Sequence, residues 1–292
     1  MSVVNSRVPL WNSRKGIPSC FTTFLLESDR PRGAVLILPG GGYQMVCEPS
    51  EGAPVAKKFN SLGLHAFVLN YRVFPHTFPA PQQDALRALK IIRGRAEEWG
   101  INPAQIGVCG FSAGGHLATS LGTTIVKDID ASDGDRFDGI PARPDFIISG
   151  QGAISFAGNH RVTADNLLGA DMPDSERLKY SPELHVHSDT PPCFLWSTFG
   201  DQVVDCNFSI LFAQALKAHQ VPCELHIFPN GDHGILLGMD TPDVSQWPQL
   251  AKTFIETQTG AVRTPRENYT HKHQCEATHT YPGPWRKEEM PR

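Results

Sequence analysis

The sequence predicts an α/β fold, a mostly parallel sheet with helices on both faces. Three observations carry this. From about residue 34, short apolar runs alternate with stretches of helical spacing. The first two helical stretches stop at Gly63 and Gly100, residues suited to a helix C-cap. The apolar runs are short and unbroken, as in strands covered on both sides.

Taken in order, Ala34–Leu38 is the first such strand, and it runs into Pro39-Gly-Gly-Gly42. Glu51–Leu62 follows with Val55, Ala56, Phe59 and Leu62 at helical spacing, and His65–Tyr71 is the second strand. Pro81–Trp99 places Ala85, Leu86, Leu89, Ile92 and Ala96 on one helical face. Ile106–Cys109 is a short strand that leads into a helix from about Ala113. Phe146–Ser149, Cys193–Ser197 and Leu225–Phe228 supply three more strands, with helices near 207–219 and 246–258 after the last two.

Two regions break the alternation. Residues 127–144 are rich in Asp and Gly and read as a surface loop. Residues 151–192 are long enough for an insertion over the strand ends, where substrate contacts are often carried. The domain reading is therefore one domain over residues 1–260 and a polar tail over 261–292. The tail reads as a loosely draped segment; the alternative is a clasp on a second copy of the chain through Tyr269, Tyr281 and Trp285.

Composition excludes several classes. The chain has 292 residues, 40% hydrophobic and 19% charged, which fits a globular domain and not a disordered one. A net charge of −4 offers no footprint for nucleic acid or an anionic membrane surface. No apolar run approaches the ~18–20 residues of a spanning helix, and Met1–Leu10 is too polar for a secretory leader. The seven cysteines are scattered without a C-x-x-C pair, which favours neither a disulfide framework nor zinc and points to a reducing, cytoplasmic location. The His185/His187 and His271/His273 pairs lack a third ligand at recognisable spacing, so no metal is expected.

The chemistry centres on Gly110-Phe-Ser-Ala-Gly114, a G-x-S-x-G pentapeptide. With a strand before it and a helix start after it, the flanking glycines allow a sharp turn that lifts the Ser112 hydroxyl above the sheet edge. A serine hydroxyl needs a base to become a nucleophile. Asp201 and His233 follow later strands in the order such a site requires, with Asp205 the rival acid; His116 reads as a packing residue. The oxyanion of acyl transfer needs N–H donors, worth about 2.7–4 kcal/mol each. Ala113 is one candidate and Gly41 or Gly42 the other. The same glycines lack the endings of a phosphate-binding or dinucleotide-binding loop, so no cofactor is expected. Tyr43, Gln44, Glu51 and the 151–170 segment are expected to line the substrate pocket.

Beyond the elbow, Leu38-Pro-Gly-Gly-Gly-Tyr43, Glu51-Gly-Ala-Pro-Val, Gly110-Phe-Ser-Ala-Gly-Gly-His-Leu117, Asn166-Leu-Leu-Gly169, Ser181-Pro-Glu and Thr190-Pro-Pro occur in order. So do Gly200-Asp-Gln-Val-Val204, Val221-Pro-Cys-Glu-Leu-His-Ile-Phe228 and Gln246-Trp-Pro248. Over about residues 11–258 the chain resembles the acetyl-xylan-esterase-like, or BD-FAE-like, branch of the α/β-hydrolases. That resemblance implies the α/β-hydrolase fold and deacetylation of carbohydrates or cleavage of small carboxylic esters. It also implies Ser112 as nucleophile, Asp201 as acid, His233 as base, and Gly41 or Gly42 with Ala113 as oxyanion hole. Leu38 departs from the histidine that relatives often carry there, and Asp205 from a proline after the acid motif. Two other readings use the same residues: a serine peptidase of prolyl-oligopeptidase type, for whose propeller domain the length leaves no room, and a non-catalytic binder on this fold.

Overall fold

A computed structural model describes residues 3–12, 17–156 and 161–260. Its sheet comprises β1 (Val3–Val4), β2 (Arg7–Pro9), β3 (Cys20–Leu26), β4 (Arg32–Leu38), β5 (His65–Asn70), β6 (Ile101–Phe111), β7 (Ile147–Gly150), β8 (Cys193–Thr198) and β9 (Cys223–Phe228). The order is β1-β3-β5-β4-β6-β7-β8-β9, with β2 also paired to β3. From β5 to β9 every neighbouring pair is parallel, whereas β3 joins β5 antiparallel and β1 and β2 join β3 antiparallel.

Strand β4 explains the two-sided burial. Its alternate side chains divide between two cores, as the pleat demands. Ala34, Leu36 and Leu38 pack with α3 (Ala80–Gly94), α4 (Ala113–Ser120) and α7 (Asn207–Ala218). Val35 and Ile37 pack on the opposite face with α2 (Ala53–Ser61) and α8 (Trp247–Thr259). Chain order reverses at β4, with β5 on one side and β6 and all later strands on the other. In an open parallel sheet a crevice forms at such a switch point, outside the carboxyl ends of the strands. Gly40–Gly42 follow β4 there, and Ser112 follows β6.

The structure corrects several boundaries. The reading from residue 34 onward omits β1–β3, the antiparallel edge. The helix expected over 51–62 is broken: α1 (Glu48–Glu51) ends at Gly52 and α2 restarts with Pro54 in its first turn. Gly52 has no room for a side chain, since a Cβ there would sit 2.6 Å from Glu48 O. The helix expected to Trp99 is regular only to Gly94; turns follow to Gly100, and Arg95 stacks 4.4 Å over the Trp99 ring. The Asp-rich stretch is more than surface loop. Asp135 and Asp138 pair with the fully buried Arg87, so the loop closes over a cation from α3. The 151–192 segment carries α5 (Arg161–Leu168) and α6 (Asp174–Arg177). The 261–292 tail, with its proposed clasp, lies outside the described residues.

Candidate active site

Ser112 sits between β6 and α4 with φ 51° and ψ −121°, a left-handed conformation that costs a non-glycine residue energy. The glycines around it are steric requirements. A Cβ on Gly110 would lie 1.9 Å from Gly114 O, and one on Gly114 would lie 1.9 Å from Leu38 O. Close approach of β4, β6 and α4 therefore forces the turn, and the turn presents the hydroxyl at the switch point.

The Ser112 Oγ lies 3.0 Å from His233 Nε2, and His233 Nδ1 lies 2.8 Å from Asp201 Oδ2. The three residues predicted from sequence are thus brought into one hydrogen-bonded chain. The Asp201 side chain is inaccessible to solvent, and that of His233 is one-fifth exposed. Asp201 Oδ1 accepts from the N–H groups of Val203 and Val204, each at 2.9 Å. Burial pushes the Asp201 carboxyl up, but hydrogen bonds from His233, Val204 and Val203 outweigh it and hold the group below its ordinary range. An ionised Asp201 fixes the proton on Nδ1 and leaves Nε2 to accept from the serine hydroxyl. Asp205 is turned elsewhere: its Oδ1 accepts from Asn207 N at the start of α7.

Among the described residues, the N–H groups of Gly41, Gly42 and Ala113 donate no hydrogen bond. The neighbouring Gly40 N–H donates to Glu51 Oε2, and Gly42 O accepts from Asn166 Nδ2 at 2.8 Å, so both sides of the glycine turn are fixed. Gly41 and Gly42 take φ of 121° and 62°, a region that favours glycine, and a Cβ on Gly41 would lie 2.3 Å from Met45 O. The turn can hold two donors open because its other polar groups are already paired.

A cleft of about 440 Å³ contains Ser112, His233, Gly41 and Gly42, with Glu51 and the first turn of α5 among its walls. Glu51 lines it as expected, and so do Arg161, Val162 and Thr163 from the 151–170 segment. Tyr43 does not. Its side chain is fully buried and its hydroxyl lies 2.9 Å from His116 Nδ1, because the backbone at φ 56° turns it into the core. Gln44 is exposed on the turn outside the cleft. His116 is the packing residue expected: its Nε2 meets Tyr180 O at 2.8 Å and its ring stacks on Phe156. Burial pushes the Glu51 carboxyl above its ordinary range, against the Gly40 hydrogen bond and nearby His233.

One polar residue at the site escapes sequence reasoning. Gln151, buried at the end of β7 with φ 44°, sends Nε2 toward Asp201 Oδ2 (3.1 Å), Thr198 Oγ1 (2.9 Å) and Asp232 O (2.9 Å). Its Oε1 accepts from the N–H groups of Gly234 and Ile235. It ties the acid loop to the histidine loop. The available signal is slight: a glutamine between two glycines directly after a strand.

Among the described residues, no group of three or more His, Cys, Asp or Glu side chains gathers to hold a metal ion. His185 Nδ1 lies 3.0 Å from Thr124 Oγ1 and its Nε2 2.6 Å from Lys179 O, so both nitrogens are engaged. No described helix is long and apolar enough to cross a membrane. The six described cysteines are all free thiols.

Against this geometry, the BD-FAE family model matches residues 26–216. The chain is 36% identical over 231 residues to endo-1,4-beta-xylanase B of Butyrivibrio fibrisolvens, spanning 77% of this chain and 35% of that protein. It is 32% identical over 221 residues to an acetylxylan esterase of Xylanibacter ruminicola, spanning 74% of this chain and 43% of that one. It thus spans less than half the length of these curated relatives. A crystal structure of an acetyl ester-xyloside bifunctional hydrolase from Caldicellulosiruptor lactoaceticus superposes with a TM-score of 0.80 at 39% identity. That match covers 86% of this chain and 95% of the other.

Proposed function

From the premise that the chain belongs to the BD-FAE family and has the α/β-hydrolase fold, we propose that it is a serine carboxylesterase acting on acetyl or other short acyl esters, O-acetylated carbohydrates among them. The observation that carries the reading is the contact chain from Ser112 Oγ through His233 to Asp201, set beside three undonated N–H groups. Family membership and the names of the relatives support it.

In this reading His233 Nε2 takes the Ser112 proton as Oγ attacks the ester carbonyl carbon. Asp201 holds the imidazole in the working tautomer and offsets its positive charge as it forms. Ala113 N–H and the N–H of Gly41 or Gly42 receive the oxyanion, with the positive end of α4 behind Ala113. Collapse of the tetrahedral intermediate breaks the bond to the alcohol, whose oxygen takes the proton from His233. Water, activated by the same imidazole, then releases the acid and regenerates Ser112.

A fluorophosphonate probe and acetate release together test the proposal. Labelling at Ser112, with hydrolysis of p-nitrophenyl acetate and of acetylated xylan or a monosaccharide acetate, is the expected result. The Ser112→Ala variant should lose both labelling and hydrolysis. Hydrolysis surviving in that variant would overturn the mechanism.

A further inference from the structure

Two hollows meet at His233. One is the cleft that also contains Ser112 and the glycine turn, with the first turn of α5 as its far wall. The other is a groove of about 420 Å³ between Ser50 and Pro54, on α1 and α2, and the segment from Asp232 to Thr241. It shares His233 with the first but includes neither Ser112 nor the oxyanion glycines.

Ester cleavage gives these hollows different roles. The carbonyl oxygen must face the N–H groups of Gly41, Gly42 and Ala113, which holds the acyl carbon on the Ser112 side. The alcohol oxygen must lie within hydrogen-bond reach of His233 Nε2, because that nitrogen returns the proton as the carbon–oxygen bond breaks and the electron pair leaves with the alcohol. A substituent on that oxygen, continuing past the imidazole away from the oxyanion donors, enters the groove. We propose that the groove holds the alcohol half of the ester and the α5-walled cleft the acyl half. This rests on the ester-hydrolase reading above.

The walls describe the alcohol. Asp232 and Asp240, both exposed to solvent, line the rim of the groove, and among the described residues neither carboxylate is tied up in a hydrogen bond or ion pair with the protein. An ionised carboxylate only accepts, so a fitting occupant supplies hydroxyl donors. Ile235, Leu237 and the exposed Met239 add aliphatic surface against which the C–H face of a ring can rest. Donors at the edge with an apolar face describe a cyclic polyol better than a fatty alcohol, which would leave the carboxylates unused. An anionic alcohol would be repelled.

The test fills the groove and reads two ratios in the full chain. Ser50→Trp and Thr241→Trp narrow it from opposite walls, and Asp240→Asn removes a carboxylate charge. For each, kcat/KM is measured on a monosaccharide acetate, ethyl acetate and ethyl butyrate. Using ratios cancels any general loss of activity. The proposal expects the sugar-acetate to ethyl-acetate ratio to fall about tenfold with either tryptophan, the order of a lost pocket contact. It expects a smaller fall with Asp240→Asn, and an unchanged butyrate to acetate ratio throughout. A shift in the butyrate to acetate ratio, with the alcohol ratio intact, would make the groove the acyl pocket and overturn the proposal. So would two unmoved ratios. If the parent chain hydrolyses none of the three esters and resists fluorophosphonate, the ester reading itself fails and this one with it.

Discussion

Two aspartates with solvent-inaccessible side chains, Asp84 and Asp201, solve the same problem differently. Asp84, on α3, receives hydrogen bonds from Trp11 Nε1 and Ser19 Oγ, both at 2.7 Å, and from the backbone and guanidinium of Arg72. Its partner is an arginine that never gives up its charge, so the cluster has one state and serves as a clasp between the N-terminal segment, β5's end and α3. Asp201 receives two backbone N–H bonds and one from Gln151, but its ionisable partner is His233, which can hold or release a proton. Burial is common to both. In the proposed mechanism, the partner's ability to change charge decides whether a buried carboxylate fastens the fold or takes part in the reaction.

Exchanging each aspartate for asparagine should separate these roles. Asp201→Asn is expected to lower kcat on p-nitrophenyl acetate by about 10⁴-fold, since the amide cannot fix the Nδ1 proton. Its stability should change mainly in pH dependence. The Asp201 carboxyl is depressed when folded, so it adds stability above its ordinary value near 3.8, and that stability is lost as pH falls through the folded value. In the variant that acid-dependent loss should shrink, as followed by urea midpoints at several pH values. Asp84→Asn should do the reverse. It strands the largely buried Arg72 cation and is expected to cost about 3–5 kcal/mol in urea unfolding, while the molecules still folded keep kcat within a few fold. If Asp84→Asn lowers kcat as far as Asp201→Asn, the contrast between the two carboxylates fails.

The same contrast explains what the sequence discloses. Ser112, Asp201 and His233 are legible because short-range sterics and strand-end position mark them: two glycines with no room for a Cβ, then an acid and a histidine after later strands. The central parallel sheet is legible for a similar reason, as unbroken apolar runs followed by helical spacing. Asp84 carries no such mark. It sits mid-helix, and Trp11 and Ser19 lie 73 and 65 residues away in sequence. Gln151 likewise bonds partners 47 to 84 residues distant. Tyr43 misleads because adjacency to the glycine turn suggests the cleft, whereas the positive φ of the turn buries the ring beside His116. The N-terminal strands escape because they are antiparallel additions outside the strand–helix alternation.

Gln151 gives an intermediate case. Gln151→Met empties five polar contacts and should cost about 1–3 kcal/mol in stability, through N–H groups left unpaired at Gly234 and Ile235. It should also lower kcat by about 10–100-fold with little change in KM, because the histidine loop loses its register with Asp201. Gln151→Glu is the sharper test. It retains an acceptor for Gly234 and Ile235 but places a second carboxylate beside Asp201 Oδ2, where like charges disfavour joint ionisation. The acid limb of the kcat profile should therefore move to higher pH, and the urea midpoint should fall as pH rises toward neutrality, since a carboxyl raised on folding forfeits stability there. An unmoved acid limb would reduce Gln151 to a loop fastener like Asp84.

Glu51 supplies the smallest effect and the cleanest sign. It is another buried carboxyl, and among the described residues no cation is bonded to it: its Oε2 accepts the Gly40 N–H. Burial raises its pKa above the ordinary 4.5, with the Gly40 bond and His233 opposing. A group raised on folding adds stability below its unfolded value and forfeits it as pH rises through the folded one. Glu51→Gln keeps an acceptor oxygen for Gly40 and never ionises, so the forfeited part returns. The variant should melt level with the parent near pH 4 and above it by pH 8. A gain of about 1 kcal/mol, the size of one hydrogen bond, corresponds to about 2–4 °C in Tm for a domain of this size. A Tm difference that stays flat from pH 4 to 8 would mean that Glu51 is held ionised without penalty. His233 would then have to supply the compensation that Arg72 supplies to Asp84, and the division of buried carboxylates by partner would no longer hold at this site.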